Sequence, residues 1–178
     1  PQPEAHHPEI DSGIHTLMTL QQAVKLGGAS DVRFAALLHD LGKGITPKDE
    51  LPRHIAHEFR GIKLVKAVCK RMKAPNQYRD LALKACEYHL HSHRAMELRG
   101  KTLLKLLNAT DALRRPDRFE AFLLACEADA RGRLGLEDEP YPQADYLREA
   151  REIALEVTAS LFPGVEGKAL GEAISEER

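Results

Sequence analysis

The spacing of apolar residues constrains the fold of this chain more than any other feature. Apolar residues recur three and four positions apart, which is the period of an α-helix that buries one face; one such run is Phe34, Leu37, Leu38 and Leu41. No stretch alternates between apolar and polar residues as a half-buried β-strand does, and aromatic residues, which favour strands, make up only 5% of the chain. The sequence therefore predicts an all-α fold.

Helix-breaking residues divide this pattern into eight candidate helices. Glycines and prolines, such as Gly27-Gly28 and Pro163-Gly164, fall between them. The predicted helices are Gly13–Leu26, Asp31–Asp40, His54–Met72, Gln77–His93, Gly100–Ala112, Pro116–Gly132, Gln143–Ser160 and a short Gly167–Ile174. Because the last is short, we expect a bundle of about seven full helices.

Length and charge predict one domain without a global bias toward nucleic acid. The 178 residues suit a single hydrophobic core, which we expect over residues 7–160, with a tail over 161–178. The formal net charge is -1, so any contact with nucleic acid would need a local basic patch. The first residue is proline, not methionine, and we expect the chain to be a piece of a longer or processed polypeptide.

Cysteine usage and hydropathy predict a cytoplasmic location. The three cysteines contain no CxxC pair, which fits a reducing compartment and no disulfide framework. No apolar run is long enough to cross a bilayer, so we expect no membrane partner.

The stretch "FAALLHDLGKG" places His39 and Asp40 at the end of an apolar helix, before the helix-stopping Gly42. The C-terminal end of a helix carries partial negative charge and disfavours a bare aspartate. Asp40 therefore needs a compensating charge, which a divalent cation bound by His39 and Asp40 would supply.

Two further side chains complete a candidate metal site. Asp111 continues the apolar stripe of Leu104 and Leu107, and a buried carboxylate without a partner is unstable. His15 borders the apolar face that contains Ile14. The predicted ligands are thus His15, His39, Asp40 and Asp111. Two imidazoles and two carboxylates suit Mn, Fe, Co, Ni, Mg or Zn and do not choose among them.

These four positions resemble the H…HD…D signature of the HD-domain metal-dependent phosphohydrolases. The stretches "HPEIDSGIHTLMTL", "VRFAALLHDLGKGITP", "ATDALRRPDRF" and "CEADARGRLG" are similar to the C-terminal HD domain of the bacterial multifunctional CCA proteins, the tRNA nucleotidyltransferases. The likeness runs from His7 to about Ala150. It implies an HD-domain helical bundle around a divalent ion, Mg, Mn or Ni, bound by the four predicted ligands.

The resemblance also implies an activity and partners. The implied activities are 2′,3′-cyclic phosphodiesterase, 2′-nucleotidase and phosphatase, acting on tRNA or other RNA 3′ ends and on small phosphoesters. A covalent N-terminal nucleotidyltransferase domain is implied in the full-length protein, and self-association is left open. That domain's Gly-Ser turn and paired aspartates are absent from this chain, so we expect no nucleotide addition by it. The alternative is a non-catalytic, metal-stabilised module that positions tRNA or mediates subunit association.

Other polar residues are candidates for catalysis and phosphate binding. Lys43 follows the dyad on a Gly-Lys-Gly segment and is either a phosphate contact or a solvated loop lysine. His57 is the candidate acid for the leaving alkoxide, and His89 lines the site; the alternative is that both lie on the surface. The predicted catalytic set is His39, Asp40, Lys43 and His57. The candidate phosphate- or RNA-binding residues are Lys43, His89, Arg114, Arg115, Arg118, Arg131 and Arg133.

Overall fold

The computed structural model describes residues 1–178, and all of its regular structure is helical. The all-α prediction is confirmed. The helices are α1 (Ser12–Lys25), α2 (Ser30–Leu38), α3 (His57–Met72), α4 (Asn76–His93), α5 (Gly100–Ala109), α6 (Pro116–Arg131), α7 (Pro142–Glu156) and α8 (Gly167–Glu177). Short 3-10 helices lie at Leu41–Ile45, Lys48–Glu50, Ala95–Glu97 and Ala159–Leu161.

Helices α4 and α6 form the centre of the bundle. Helix α4 packs against α2, α3 and α6, and α6 also packs against α1 and α2. Phe119 and Phe122 of α6 are almost completely buried. Helix α2 buries mainly small residues such as Ala35 and Ala36, whereas Leu37 is 40% exposed; the prediction that Leu37 faces the core is therefore wrong. Small side chains let the neighbouring helices approach α2 closely.

The turn that follows α2 brings the HD dyad into the interior. Helix α2 ends at Leu38, and the 3-10 helix Leu41–Ile45 packs directly against α3. His39 and Asp40 between these elements are 2% and 6% exposed. Gly42 makes this approach possible, because a Cβ there would overlap the carbonyl oxygen of His57 and lie 2.7 Å from the amide nitrogen of Gly61.

Replacing Gly42 with alanine should destabilise the protein, whereas Gly44→Ala should not. The extra methyl at Gly42 would push the dyad's turn away from α3, and overpacking of this kind costs about 1–3 kcal/mol or more. A Cβ at Gly44 meets no atom within 4 Å, which makes it a matched control. Thermal unfolding measures both variants; equal unfolding temperatures for the two would contradict the close packing of Gly42.

None of the helices combines the length and the apolar character needed to cross a lipid bilayer.

Candidate metal centre

Four buried side chains from three parts of the chain converge where α1, the end of α2 and α6 meet. His15 Nε2 lies 2.9 Å from Asp129 Oδ1 and 3.7 Å from Asp40 Oδ2. His39 Nε2 lies 3.2 Å from Asp40 Oδ2 and 3.3 Å from Asp129 Oδ1. Ligands about 2.1 Å from one ion and at right angles stand about 3 Å apart. The spacing of these four atoms therefore matches the ligand shell of a single ion.

The orientation of the imidazoles also fits a metal ion. In four buried histidines the Nδ1 atom lies against a backbone carbonyl and donates to it, so that in a neutral ring the lone pair is on Nε2. Each Nε2 atom faces a carboxylate oxygen, and two electron-rich atoms need a cation between them. The Nδ1 acceptors for His15, His39, His57 and His89 are the carbonyls of Gly132, Ala36, His54 and Ala85, at 3.0, 2.7, 3.0 and 2.9 Å.

Several atoms of the cluster have no hydrogen-bond partner. His39 Nε2 and both carboxylate oxygens of Asp40 are buried, and none makes a hydrogen bond of acceptable geometry. Buried polar atoms are nearly always satisfied, and the close neighbours of the two Asp40 oxygens include Lys43 Nζ at 2.5 Å and His57 Nε2 at 3.0 Å. A divalent ion that accepts imidazole nitrogen and carboxylate oxygen would satisfy all three.

The pKa values show how strongly the cluster attracts positive charge. Burial alone would lower the pKa of His39, but the carboxylates of Asp40 and Asp129 outweigh burial and hold that pKa well above its ordinary value. Burial would raise the pKa of Asp40, yet His39 and Lys43 hold it well below its usual range. Lys43 Nζ lies 2.5 Å from Asp40 Oδ2. A proton on His39 and the Lys43 ammonium thus balance the carboxylates when no ion does.

A second group of ligands shares Asp40. His57 Nε2 lies 3.0 Å from Asp40 Oδ1, and His89 Nε2 lies 3.6 Å from the same oxygen. The two Nε2 atoms are 3.3 Å apart. Burial lowers the pKa of His89 to about 3, so this ring is neutral. One oxygen of Asp40 faces the first group and the other oxygen faces the second, which offers three more ligand atoms within reach of one another.

The cluster opens into a cavity of about 540 Å³. Residues 1–11, called the N-terminal segment below, form one wall. Gln2 is 2% exposed, and its Oε1 accepts a hydrogen bond from Lys43 Nζ at 2.5 Å. The carbonyl of Pro1 accepts one from His54 Nε2 at 2.7 Å. Basic side chains of Arg53, Arg94 and Arg133 also line this cavity.

Asp111 lies elsewhere, and its predicted place in the cluster is wrong. Helix α5 ends at Ala109, and Asp111 has a left-handed backbone with φ of 61°. The apolar stripe of the helix therefore stops before Asp111. Its carboxylate is bonded to Arg114 at 2.8 Å and lines a different, smaller pocket together with Arg118. Asp129 of α6 takes the place in the cluster that was predicted for Asp111.

The other predicted residues divide between the site and its surroundings. The structure brings His15, His39, Asp40, Lys43, His57 and His89 to one site. The three arginines that follow Asp111 in the sequence lie outside the cluster. Arg114 is bonded to the Asp111 carboxylate, Arg118 lines the smaller pocket, and Arg115 is the residue before α6. Arg131 forms an ion pair with Glu127 at 2.8 Å, and Arg133 lines the cavity into which the cluster opens. The roles of these residues stay predictions.

Asp129 was missed although the sequence carried a signal for it. Phe122, Cys126 and Asp129 are spaced four and three residues apart, so Asp129 continues an apolar stripe as Asp111 does. In this case the helix persists, because α6 runs to Arg131. Asp129 is 5% exposed, and burial would raise its pKa, but His39 and His93 keep the pKa well below its usual range.

The fold and the cluster together define an all-α protein with buried His and Asp side chains that could hold a metal ion. The family model described as the HD domain matches residues 13–130, more than half of the chain. The chain belongs to the HD domain family.

The chain is also similar over its full length to curated multifunctional CCA proteins. It is 59% identical to the one from Alkalilimnicola ehrlichii, 57% identical to that of Thioalkalivibrio sulfidiphilus and 58% identical to one from Pseudomonas fluorescens. It spans 44% of the length of each of these relatives. The family resemblance inferred from the sequence is thereby confirmed. A comparison with solved structures found no match.

Proposed function

We propose that the chain is the metal-dependent phosphohydrolase domain of a CCA-adding tRNA nucleotidyltransferase in the cytoplasm. Its substrates would be 2′,3′-cyclic phosphates, 2′-phosphates and phosphate monoesters at RNA 3′ ends and in small molecules. One observation carries the proposal. Two imidazole nitrogens and two carboxylate oxygens from α1, α6 and the turn after α2 converge with neighbouring atoms 2.9–3.7 Å apart, at the base of an open cavity.

The residues that would hold the ion are His15, His39, Asp40 and Asp129. Mixed nitrogen and oxygen ligands are compatible with Mg, Mn or Ni, the ions that the family resemblance implies. When bound, the ion would polarise a phosphoryl oxygen and lower the pKa of a bound water. The Asp40, His57 and His89 group offers either a second ion position or polar contacts for substrate, and measurement of metal stoichiometry distinguishes these.

Lys43 is placed to bind the phosphate and stabilise its developing charge. Its ammonium lies 2.5 Å from Asp40 Oδ2 and also donates to Gln2, so it is held at the floor of the cavity. An ion beside Asp40 would weaken the hold of this carboxylate on Lys43, which could then donate to a phosphoryl oxygen. Charge-assisted donors of this kind act where charge grows in the transition state.

His57 is our candidate for protonating the leaving oxygen. Its Nδ1 is fixed by the carbonyl of His54 at 3.0 Å, and its Nε2 faces Asp40 Oδ1. The ring therefore presents Nε2 to the cavity in one orientation, as a general acid requires. As a water oxygen bonds to phosphorus and releases a proton to solvent, the P–O bond to the 2′ or 3′ oxygen would break with its electron pair staying on that oxygen, and a protonated His57 would deliver its Nε2 hydrogen there.

The basic residues around the cavity support an RNA substrate. Arg53, Arg94 and Arg133 lie at the cavity that contains the metal cluster, where they could contact phosphates next to the reacting one. A full tRNA and a covalent nucleotidyltransferase domain are part of the proposal for the longer protein.

The direct test is hydrolysis of 2′,3′-cyclic AMP by the purified chain, with Mg, Mn or Ni added and with EDTA as the metal-free control. Phosphodiester opening that depends on the ion supports the proposal. Metal binding and metal-dependent thermal stabilisation without any turnover of cyclic, 2′- or 3′-phosphates would favour the non-catalytic module instead.

A further inference from the structure

The carboxylate of Asp129 has a further partner at its second oxygen. Its Oδ1 faces His15 and His39, whereas its Oδ2 accepts a hydrogen bond from His93 Nε2 at 2.7 Å. His93 is the last residue of α4 and stands outside both ligand groups around Asp40. The mechanism proposed above makes no use of His93.

The other nitrogen of His93 is held by a buried tyrosine. His93 Nδ1 lies 3.0 Å from the hydroxyl of Tyr141, and this hydroxyl lies 2.9 Å from Ser92 Oγ. Tyr141 is 8% exposed and Ser92 is fully buried. Burial raises the pKa of Tyr141, so the phenol keeps its hydrogen and remains a donor.

Only one direction of hydrogen bonding satisfies the whole chain of groups around a neutral His93 ring. The ionised Asp129 can only accept, so His93 Nε2 carries the hydrogen and donates it. His93 Nδ1 then has a lone pair and must accept, so Tyr141 donates to it. The Tyr141 oxygen in turn accepts from Ser92. Each hydrogen bond in the series fixes the direction of the next.

We infer that His93, which donates from Nε2 to Asp129 and is held at Nδ1 by Tyr141, is a positioning residue that holds Asp129 for metal binding. The inference rests on the proposed metal centre. The hydrogen bond to Oδ2 fixes the rotation of the carboxylate, so that Oδ1 points at His15 and His39. It also leaves the negative charge of Asp129 in place for the ion. Tyr141 acts one step further out, because its hydroxyl, 3.0 Å from His93 Nδ1, holds the ring in the orientation that donates to Asp129.

The expected size of the effect follows from similar partners of metal ligands in other proteins. Loss of a group that orients a metal ligand typically costs about 10- to 100-fold in metal affinity or activity. Tyr141→Phe removes one hydroxyl and keeps the packing of the ring. His93→Leu removes the donor, whereas His93→Gln keeps an amide donor at nearly the same distance from the backbone. Tyr146→Phe is the matched control, because Tyr146 lies on α7 and packs half-buried against the core.

The experiment measures Mn²⁺ binding by calorimetry and the visible spectrum of the Co²⁺-loaded protein for these variants. We expect Tyr141→Phe and His93→Leu to bind Mn²⁺ about 10- to 100-fold more weakly and to show an altered Co²⁺ spectrum. His93→Gln and Tyr146→Phe should stay close to wild type. Metal-free unfolding temperatures report any general loss of stability, and if Tyr141→Phe lowers them, the comparison of His93→Gln with His93→Leu decides.

Two other results would contradict either the positioning role or the metal centre on which it rests. Wild-type affinity and spectrum in both Tyr141→Phe and His93→Leu would overturn the positioning role while leaving the metal centre intact. A wild-type chain that binds neither Mn²⁺ nor Co²⁺ would overturn the proposed metal centre, and the positioning role with it.

Discussion

Asp40→Asn is expected to abolish metal-dependent hydrolysis and to weaken metal binding. Loss of a group that only orients a metal ligand costs about 10- to 100-fold in metal affinity, and loss of Asp40, a ligand itself, should cost more. Asp40 offers Oδ2 to the cluster with His15 and His39, and Oδ1 to His57 and His89. One substitution therefore damages both ligand groups. Activity and calorimetric metal binding are the measurements.

Thermal unfolding with and without the ion separates loss of binding from loss of fold. A ligand at 100 times its Kd stabilises a folded protein by about 2.7 kcal/mol, which shifts the unfolding temperature by roughly 5–10 °C for a domain of this size. Wild type should show such a shift, and Asp40→Asn should not. Asp31→Asn is the matched control, because Asp31 is also a buried aspartate but lies at the start of α2, where it is bonded to Gln77 at 2.7 Å, away from the cluster. Equal metal-induced shifts in wild type and Asp40→Asn would contradict the assignment of Asp40.

The same variant should change the acid stability of the metal-free protein. The pKa of Asp40 is lower in the folded chain than its ordinary value of 3.8. The ionised carboxylate therefore stabilises the fold at any pH above this ordinary pKa. This contribution is lost as the pH falls through the lowered pKa. At neutral pH Asp40→Asn should therefore unfold at a lower temperature than wild type, because Lys43 and His39 lose their counter-charge. The difference should shrink in acid.

Asp129→Asn should abolish metal binding and hydrolysis, whereas Asp111→Asn should preserve both. Asp129 is buried and its Oδ1 lies 2.9 Å from His15 Nε2 and 3.3 Å from His39 Nε2. The Asp111 side chain is 29% exposed and pairs with Arg114, whose side chain is 81% exposed. Exposed pairs of this kind contribute about 0–1 kcal/mol. Asparagine also tolerates the left-handed backbone that Asp111 adopts, so Asp111→Asn keeps the turn.

The comparison of these two variants decides which aspartate is the fourth ligand. Metal titration and turnover of cyclic AMP give independent answers. Retained binding in Asp129→Asn together with lost binding in Asp111→Asn would reverse the assignment and would require α5 to continue past Ala109.

The helices could be predicted because their signal is local. Apolar spacing and helix breakers act within a few residues, and all eight helices occur near their predicted positions. The error at Asp111 arose from two residues at the end of one helix, where a left-handed turn replaced the expected continuation of α5. Periodicity alone could not choose between Asp111 and Asp129, because both follow an apolar stripe and only helix ends and packing separate them.

The outer part of the site could not be predicted from patterns. The bond from Lys43 to Gln2 joins residues 41 positions apart, and the bonds of His93 to Asp129 and Tyr141 span 36 and 48 positions. Each of these polar contacts joins a single pair of residues far apart in the sequence, so no repeating residue pattern predicts it. They arise only when the bundle has brought the end of α4 beside α6 and the start of α7.

The N-terminal segment contributes to the site although it contributes no helix to the bundle. A fragment that begins at Ser12 would contain every helix of the bundle. It would lack the Gln2 oxygen that holds Lys43 and the Pro1 carbonyl that holds His54. Truncation at the first helix boundary would thus keep every helix of the bundle but remove one wall of the cavity. In this chain, the polypeptide that precedes the first helix is accordingly part of the cavity wall.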